Sequence, residues 1–156
     1  MLTALIVWIG GLIFFAFVLA PTVFQVLLPN THLAGNIVGI AITKLHGMGI
    51  VCGVFYLLSS WILAVRLEGR AQFFALRNVL IAVMLGLTLF SQFWIIPRMD
   101  TLRAAVGDFA TVPLNNPARI QFDALHVWST RVEGAVLLFG IVVIYLTART
   151  FRSKSG

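Results

Sequence analysis

The chain carries a single cysteine, Cys52, so it can close no internal disulfide and its thiols say nothing of redox compartment. Charge is scarce as well. Only 10% of the 156 residues are Asp, Glu, Lys or Arg, and only 5 of those are acids. There is no C-x-x-C, no H-E-x-x-H, no glycine-rich phosphate loop and no Ser-His-Asp constellation, so nothing in the sequence supports an enzyme. The net charge of +6 has no basic helix or aromatic platform behind it, and nucleic acid is not an expected partner.

What the chain has in abundance is apolar sequence. Sixty per cent of it is hydrophobic and the mean hydropathy is +1.02, too greasy for a chain of this size to cover itself with polar groups. The lipid bilayer is its expected solvent. Four apolar runs, at residues 2–28, 37–65, 76–96 and 127–148, are each close to the roughly 20 residues a helix needs to cross the hydrocarbon core. Backbone groups in lipid must satisfy one another, which long apolar runs do as helices. The expectation is an all-α integral membrane protein, a single four-transmembrane-helix bundle over residues 1–156. The first run is longer than a signal peptide's core of about 7–15 residues and no Lys or Arg precedes it, so it reads as a retained helix.

A pattern occurs twice. Gly10, Phe14, Phe17 and Pro21 repeat as Gly86, Phe90, Phe93 and Pro97, 76 residues later, and the pair Leu45-His46 recurs as Leu125-His126. Self-similarity at a fixed period points to duplicated architecture, here two tandem helix pairs of parallel orientation with halves near 1–66 and 77–149. The phenylalanines read as packing knobs, and Pro21 and Pro97 as prolines that end or kink their helices. Gly49 and Gly53, four apart in the second run, permit close helix approach.

With four spans, the loop at 66–75 and the C-terminal tail share a face. Arg66, Arg70, Arg77, Arg149, Arg152 and Lys154 against Glu68 give that face +5. Lys44, Arg98, Arg103, Arg119 and Arg131 against Asp100, Asp108, Asp123 and Glu133 give the other +1. Basic segments stay cytoplasmic, so both termini are expected there.

Counting a core of roughly 20 residues back from Arg66 and Arg149 brings His46 and the turn after His126 to the opposite membrane boundary. Pro97 brings Arg98 to the same level. On the fourth run His126, Ser129, Thr130 and Glu133 share one helix face, with Glu133 about 10 Å deeper than His126. A carboxylate at that depth must be paired, protonated or wet, and Arg98 is its expected partner. Gly53, the counterpart of Glu133 in the other half, would leave room for it near the axis. The expected polar cluster is therefore His46, Arg98, Asp123, His126, Ser129 and Glu133. His46 and His126 facing each other could ligate copper or zinc, or hold a haem b axially. Alternatively each histidine bonds a loop carbonyl and ends its helix.

Several stretches carry a family resemblance. They are Trp8-Ile9-Gly10-Gly11 with Phe14, Phe15, Ala20-Pro21 and Phe24; Gly35 and Gly39; Leu45-His46 with Cys52-Gly53; Ile96-Pro97-Arg98-Met99; and Phe122 through His126, Ser129 and Arg131. In these the chain resembles the bacterial domain of unknown function 4149, which is related to transmembrane protein 205. The resemblance implies a small four-helix protein of the bacterial inner (cytoplasmic) membrane. The link of transmembrane protein 205 to platinum-drug resistance further implies transport, or metal or drug handling. An accessory subunit packed against other membrane subunits or a second copy, and a b-type haem or copper-binding subunit, are the alternatives. A reporter active only in the periplasm, fused after Gly156, is expected to stay silent; strong activity would reverse the assigned orientation.

Overall fold

The computed structural model describes residues 1–68, 75–107 and 111–153. Arg70, Asp108 and Lys154, used above in the charge balance, lie outside the described residues, as do the side chains of Glu68 and Arg152. The described chain forms α1 (Leu2–Phe14), α2 (Ala20–Val26), α3 (Thr31–Glu68), α4 (Leu76–Phe90), α5 (Ile96–Val106) and α6 (Pro117–Ser153). A π turn at Phe15–Leu19 joins α1 to α2, and another at Ser91–Ile95 joins α4 to α5. Four continuous helical spans result: Leu2–Val26, Thr31–Arg66, Leu76–Val106 and Pro117–Arg149, each long and apolar enough to cross a membrane.

The two π turns lie 76 residues apart, and each is followed by a proline at the second position of the next helix. A proline has no N–H to donate, and its ring collides with the carbonyl four residues back, here Phe17 or Phe93. Widening the turn answers both problems. Ala20 N–H donates to Phe15 O and Ile96 N–H to Ser91 O, each five residues back. Of the two expectations for Pro21 and Pro97, an end to the helix is not met: each is preceded by a π turn, and the spans run on to Val26 and Val106. The third and fourth spans also extend well past the 76–96 and 127–148 apolar runs, because polar sequence outside the hydrocarbon stays helical.

Local signals set the other ends. Asn30 Oδ1 accepts from Leu33 N–H at 3.0 Å and caps α3, and Asn116 Oδ1 accepts from Ala118 N–H at 2.9 Å ahead of α6. Gly107, at φ +75°, closes α5 through its N–H to Arg103 O, a left-handed position that any Cβ would strain.

α1 packs beside α3 and α6, and α4 beside the same two helices, so the first span stands opposite the third and the second opposite the fourth. The core is built on Leu5, Trp8, Ile9, Met84, Leu85 and Val136. Trp8 is its wedge. A Cβ on Gly49 would stand 2.3 Å from the indole Nε1, and one on Gly53 2.6 Å from Leu85 Cδ2 and 2.9 Å from Trp8 Cζ3. Gly53 thus makes room for Trp8 and Leu85. Phe14, Phe17, Phe90 and Phe93 are exposed, so the repeated phenylalanines face the lipid rather than acting as packing knobs.

The two kinds of glycine make a direct comparison. Gly49→Ala drives a methyl into a rigid indole and is expected to cost about 1–3 kcal/mol, read as a lower melting temperature in detergent. Gly10→Ala, whose Cβ meets nothing within 4 Å, is expected to leave that temperature unchanged.

Candidate functional site

His46 stands 20 residues from Arg66 on α3, and Glu133 16 residues from Arg149 on α6. At 1.5 Å per residue these are about 30 and 24 Å, so both lie near the far edge of an apolar layer about 30 Å thick. Two residues further on these helices stand Lys44 and Arg131, and Trp94 lies on the third span, all exposed. Arg98 lies 3.7 Å over the Trp94 ring, and Arg131 5.6 Å from the centre of Trp128. Tryptophan with basic residues marks the membrane–water interface. These side chains lie about 3 Å from the polar layer along the helix axes.

Within this layer His46 is buried, at 1% exposure, and both ring nitrogens are engaged. Nε2 lies 2.7 Å from Glu133 Oε1, and Nδ1 lies 2.9 Å from Gln92 Oε1. The Glu133 side chain is 17% exposed. α3 and α6 are diagonal partners in the ring of helices, so the His46–Glu133 contact crosses the centre of the bundle. Each contributor has a local reason to be there. His46 lies one turn from the Gly49 contact with Trp8, which draws α3 inward. Gln92 sits on the Ser91–Ile95 π turn that Pro97 imposes, and Glu133 follows buried Val132 on the inward stripe of α6.

Of the residues expected to cluster, the structure joins His46 to Glu133 and leaves the others apart. The partner of Glu133 is His46, not Arg98, whose exposed guanidinium lies on Trp94. His126 is exposed and stacks on Phe122, with centroids 6.4 Å apart, so the two histidines do not face each other. That placement removes the geometric basis for a bis-histidine haem or a shared metal. Among the described residues no three His, Cys, Asp or Glu side chains gather in a way that could hold a metal ion. Asp123 is exposed and Ser129 half-buried. Gln92 was missed, although its signal was legible: an amide inside an apolar run, five residues before a proline.

Below this layer, toward Arg66 and Arg149, Trp8, Met84, Leu85 and Val136 form an apolar plug. Beneath the plug a second diagonal bond joins Tyr56 Oη to Thr147 Oγ1 at 2.9 Å, both buried. Above the layer the third and fourth spans run on for about 20 Å as a polar collar. There Arg103 lies against Gly39, bonds Asp100 at 2.9 Å and sits 5.4 Å from the Phe122 ring centre. His32 Nδ1–H donates to Gly107 O at 2.7 Å, tying the start of α3 to the end of α5.

Residues 3–107 match the family model described as Domain of unknown function (DUF4149). The chain belongs to the DUF4149 family. The match takes in His46 and Gln92 but stops before Glu133, so two of the three members of the site lie inside the matched region. No curated protein and no solved structure matches this DUF4149 chain.

Removing one member of a buried pair strands the other. Glu133→Ala and His46→Ala are each expected to cost about 3–5 kcal/mol of stability, with the double variant far from additive. Arg98→Ala and Arg131→Ala each lose one exposed cation–π contact, about 0.5–1 kcal/mol. Their melting temperatures should therefore fall slightly and alike.

Proposed function

We propose that this DUF4149 protein handles a solute and is not an enzyme. In this reading it is a multi-pass protein of the bacterial inner membrane, both termini cytoplasmic, that engages a small organic cation at the His46–Gln92–Glu133 layer. One observation carries the reading: ionisable side chains of two diagonal helices meet at 2.7 Å in the centre of an apolar bundle. A well-packed apolar pair would hold that centre at no desolvation cost, and an intramembrane carboxylate points by default to a substrate or ion pathway. A subunit serving only as packing has no use for it.

The solute class follows from the donors. Glu133 supplies one carboxylate and Gln92 a carbonyl oxygen, while Phe90, Phe93 and Trp94 crowd the lipid side of the same span. Such a setting suits an amine or quaternary ammonium carrying apolar groups, which needs one counter-charge and no coordination sphere. The apolar plug around Trp8 lies on the route to the other face, so passage requires the helix pairs to rock apart there. The interfacial tryptophan–arginine pairs would keep the polar layer at a fixed depth during that motion.

Uptake of labelled tetraphenylphosphonium and of a lipophilic amine into proteoliposomes tests the reading. The wild-type chain is expected to exceed empty vesicles, and Glu133→Gln, which keeps the shape and removes the charge, to lose at least about tenfold of that excess, or 1.4 kcal/mol. Uptake no greater than in empty vesicles, or unchanged by Glu133→Gln, would sink it.

A further inference from the structure

The contacts of His46 constrain where its protons can be. Gln92 presents a carbonyl oxygen to Nδ1, and a carbonyl only accepts, so Nδ1 carries a hydrogen and donates it. One proton then lies on the line between Nε2 and Glu133 Oε1. Held on oxygen, it makes a neutral imidazole and a carboxylic acid; held on nitrogen, an imidazolium and a carboxylate. The two forms have the same composition and no net charge. A bundle centre with no other charge in contact favours that neutrality.

Losing the proton is a different matter. With Nδ1–H still facing Gln92, the Nε2 lone pair would point at the Glu133 carboxylate, acceptor against acceptor at 2.7 Å. Relief requires the ring hydrogen to sit on Nε2 and donate to Glu133. Nδ1 is then a bare acceptor, and Gln92 must turn its amide so that its NH2 donates to it. The side chain of Gln92 therefore reports and resists deprotonation. The transferred proton leaves through Glu133, whose side chain keeps 17% exposure, and passes to water or buffer at the collar end. In the other direction the apolar plug blocks it.

We propose that His46, Gln92 and Glu133 form a proton-binding site that exchanges one proton with the collar side of the membrane, with the amide of Gln92 as its gate. The inference deepens the reading of the same site, and needs no solute. Few other ionisable groups bear on it. The first span has none, and α3 offers Lys44, exposed at the interface, and Cys52 and Tyr56 below the layer. The third span offers Arg98, held on Trp94, with Asp100 and Arg103 paired beyond it and Arg77 at its far end, and α6 offers Arg131 on Trp128 and the exposed His126 and Asp123. A second feature marks the same turn: Ser91, beside Gln92, is fully buried, and its Oγ has no hydrogen-bond partner among the described residues.

The test is spectroscopic and needs no transport assay. The whole chain, with 15N-labelled histidine, is placed in lipid nanodiscs and taken through a pH series; His46→Gln assigns the His46 signals. Infrared difference spectra follow the C=O stretch of a protonated carboxyl in the same samples. The expected result is one step in the His46 ring signals that leaves the ring hydrogen on Nε2, with the carboxyl band changing in the same step where the proton starts on oxygen. Glu133→Gln should abolish the band. Gln92→Met, which removes the gate, should displace the step from its wild-type position, by about a tenfold change in proton concentration. Wild-type His46 signals that stay constant across the series overturn the proposal even if both variants fail to fold. So does a Gln92→Met step at the wild-type pH. Titration without uptake removes only the solute reading, and uptake without titration removes only this one.

Discussion

An ionisable side chain inside an apolar bundle has to find its partner inside the bundle, and in this chain one diagonal contact meets that demand. His46 and Glu133 come from helices that do not pack side by side, so the bond between them can form only if all four helices hold their places. α1 and α4 lie between the two diagonal helices and fix their separation. Trp8 does so on one side by pressing into Gly49 and Gly53; Met84 and Leu85 do so on the other. Ile9 closes the ring against Gly140, where a Cβ would collide with it. The apolar packing and the polar bond are thus a single geometric condition. Tightening α1 against α3 sets the distance at which an imidazole can reach a carboxylate.

The third member of the site depends on a backbone defect. A regular α-helix through Pro97 would leave a carbonyl without a donor and the ring in collision with it, a cost that lipid does not relieve. The π turn absorbs both by adding a residue to one turn, and that residue changes the facing of everything before it relative to everything after. Ser91 and Ile95 become fully buried while Gln92 reaches His46. π turns of this kind are common at functional sites, since they re-aim a side chain without breaking the helix. The same defect occurs at Phe15–Leu19, where the corresponding residues are Phe15 and Ala16, and no polar contact follows.

Span number and apolar class were legible in the sequence, because hydropathy over about 20 residues determines them. His46 and Glu133 were legible for the same reason: an ionisable residue in such a run stands out. The choice of partner was not. Arg98 is at the right level for Glu133, but level is one coordinate, and the direction of a side chain around the helix depends on the turn that precedes it. Once Pro97 opens that turn, Arg98 comes to lie over Trp94 one helical turn back. The phenylalanines misled in a related way. Periodicity shows that Phe14 and Phe17 share a face, yet in lipid an apolar face can turn outward as readily as inward, so period alone cannot assign it. The small residues decide, since close approach happens where Gly49, Gly53 and Gly140 lie.

The recurring sequence pattern breaks at the site. The proline with its π turn recurs 76 residues on, and the Leu-His pair recurs 80 residues on. Gln92 against Ala16 and Glu133 against Gly53 are the differences, and each falls on a contact of His46. Only one imidazole of the two is therefore given partners; the other, His126, is left at the surface on Phe122. A symmetric pair of histidines would build a centre on the axis, as a haem or a metal requires. A single histidine between an amide and a carboxylate builds a line, with a donor at one end, an acceptor at the other and a proton between them. The DUF4149 match, ending at residue 107, covers the imidazole and the amide. The carboxylate comes from the fourth span, and without it the line has nothing to hold its proton against.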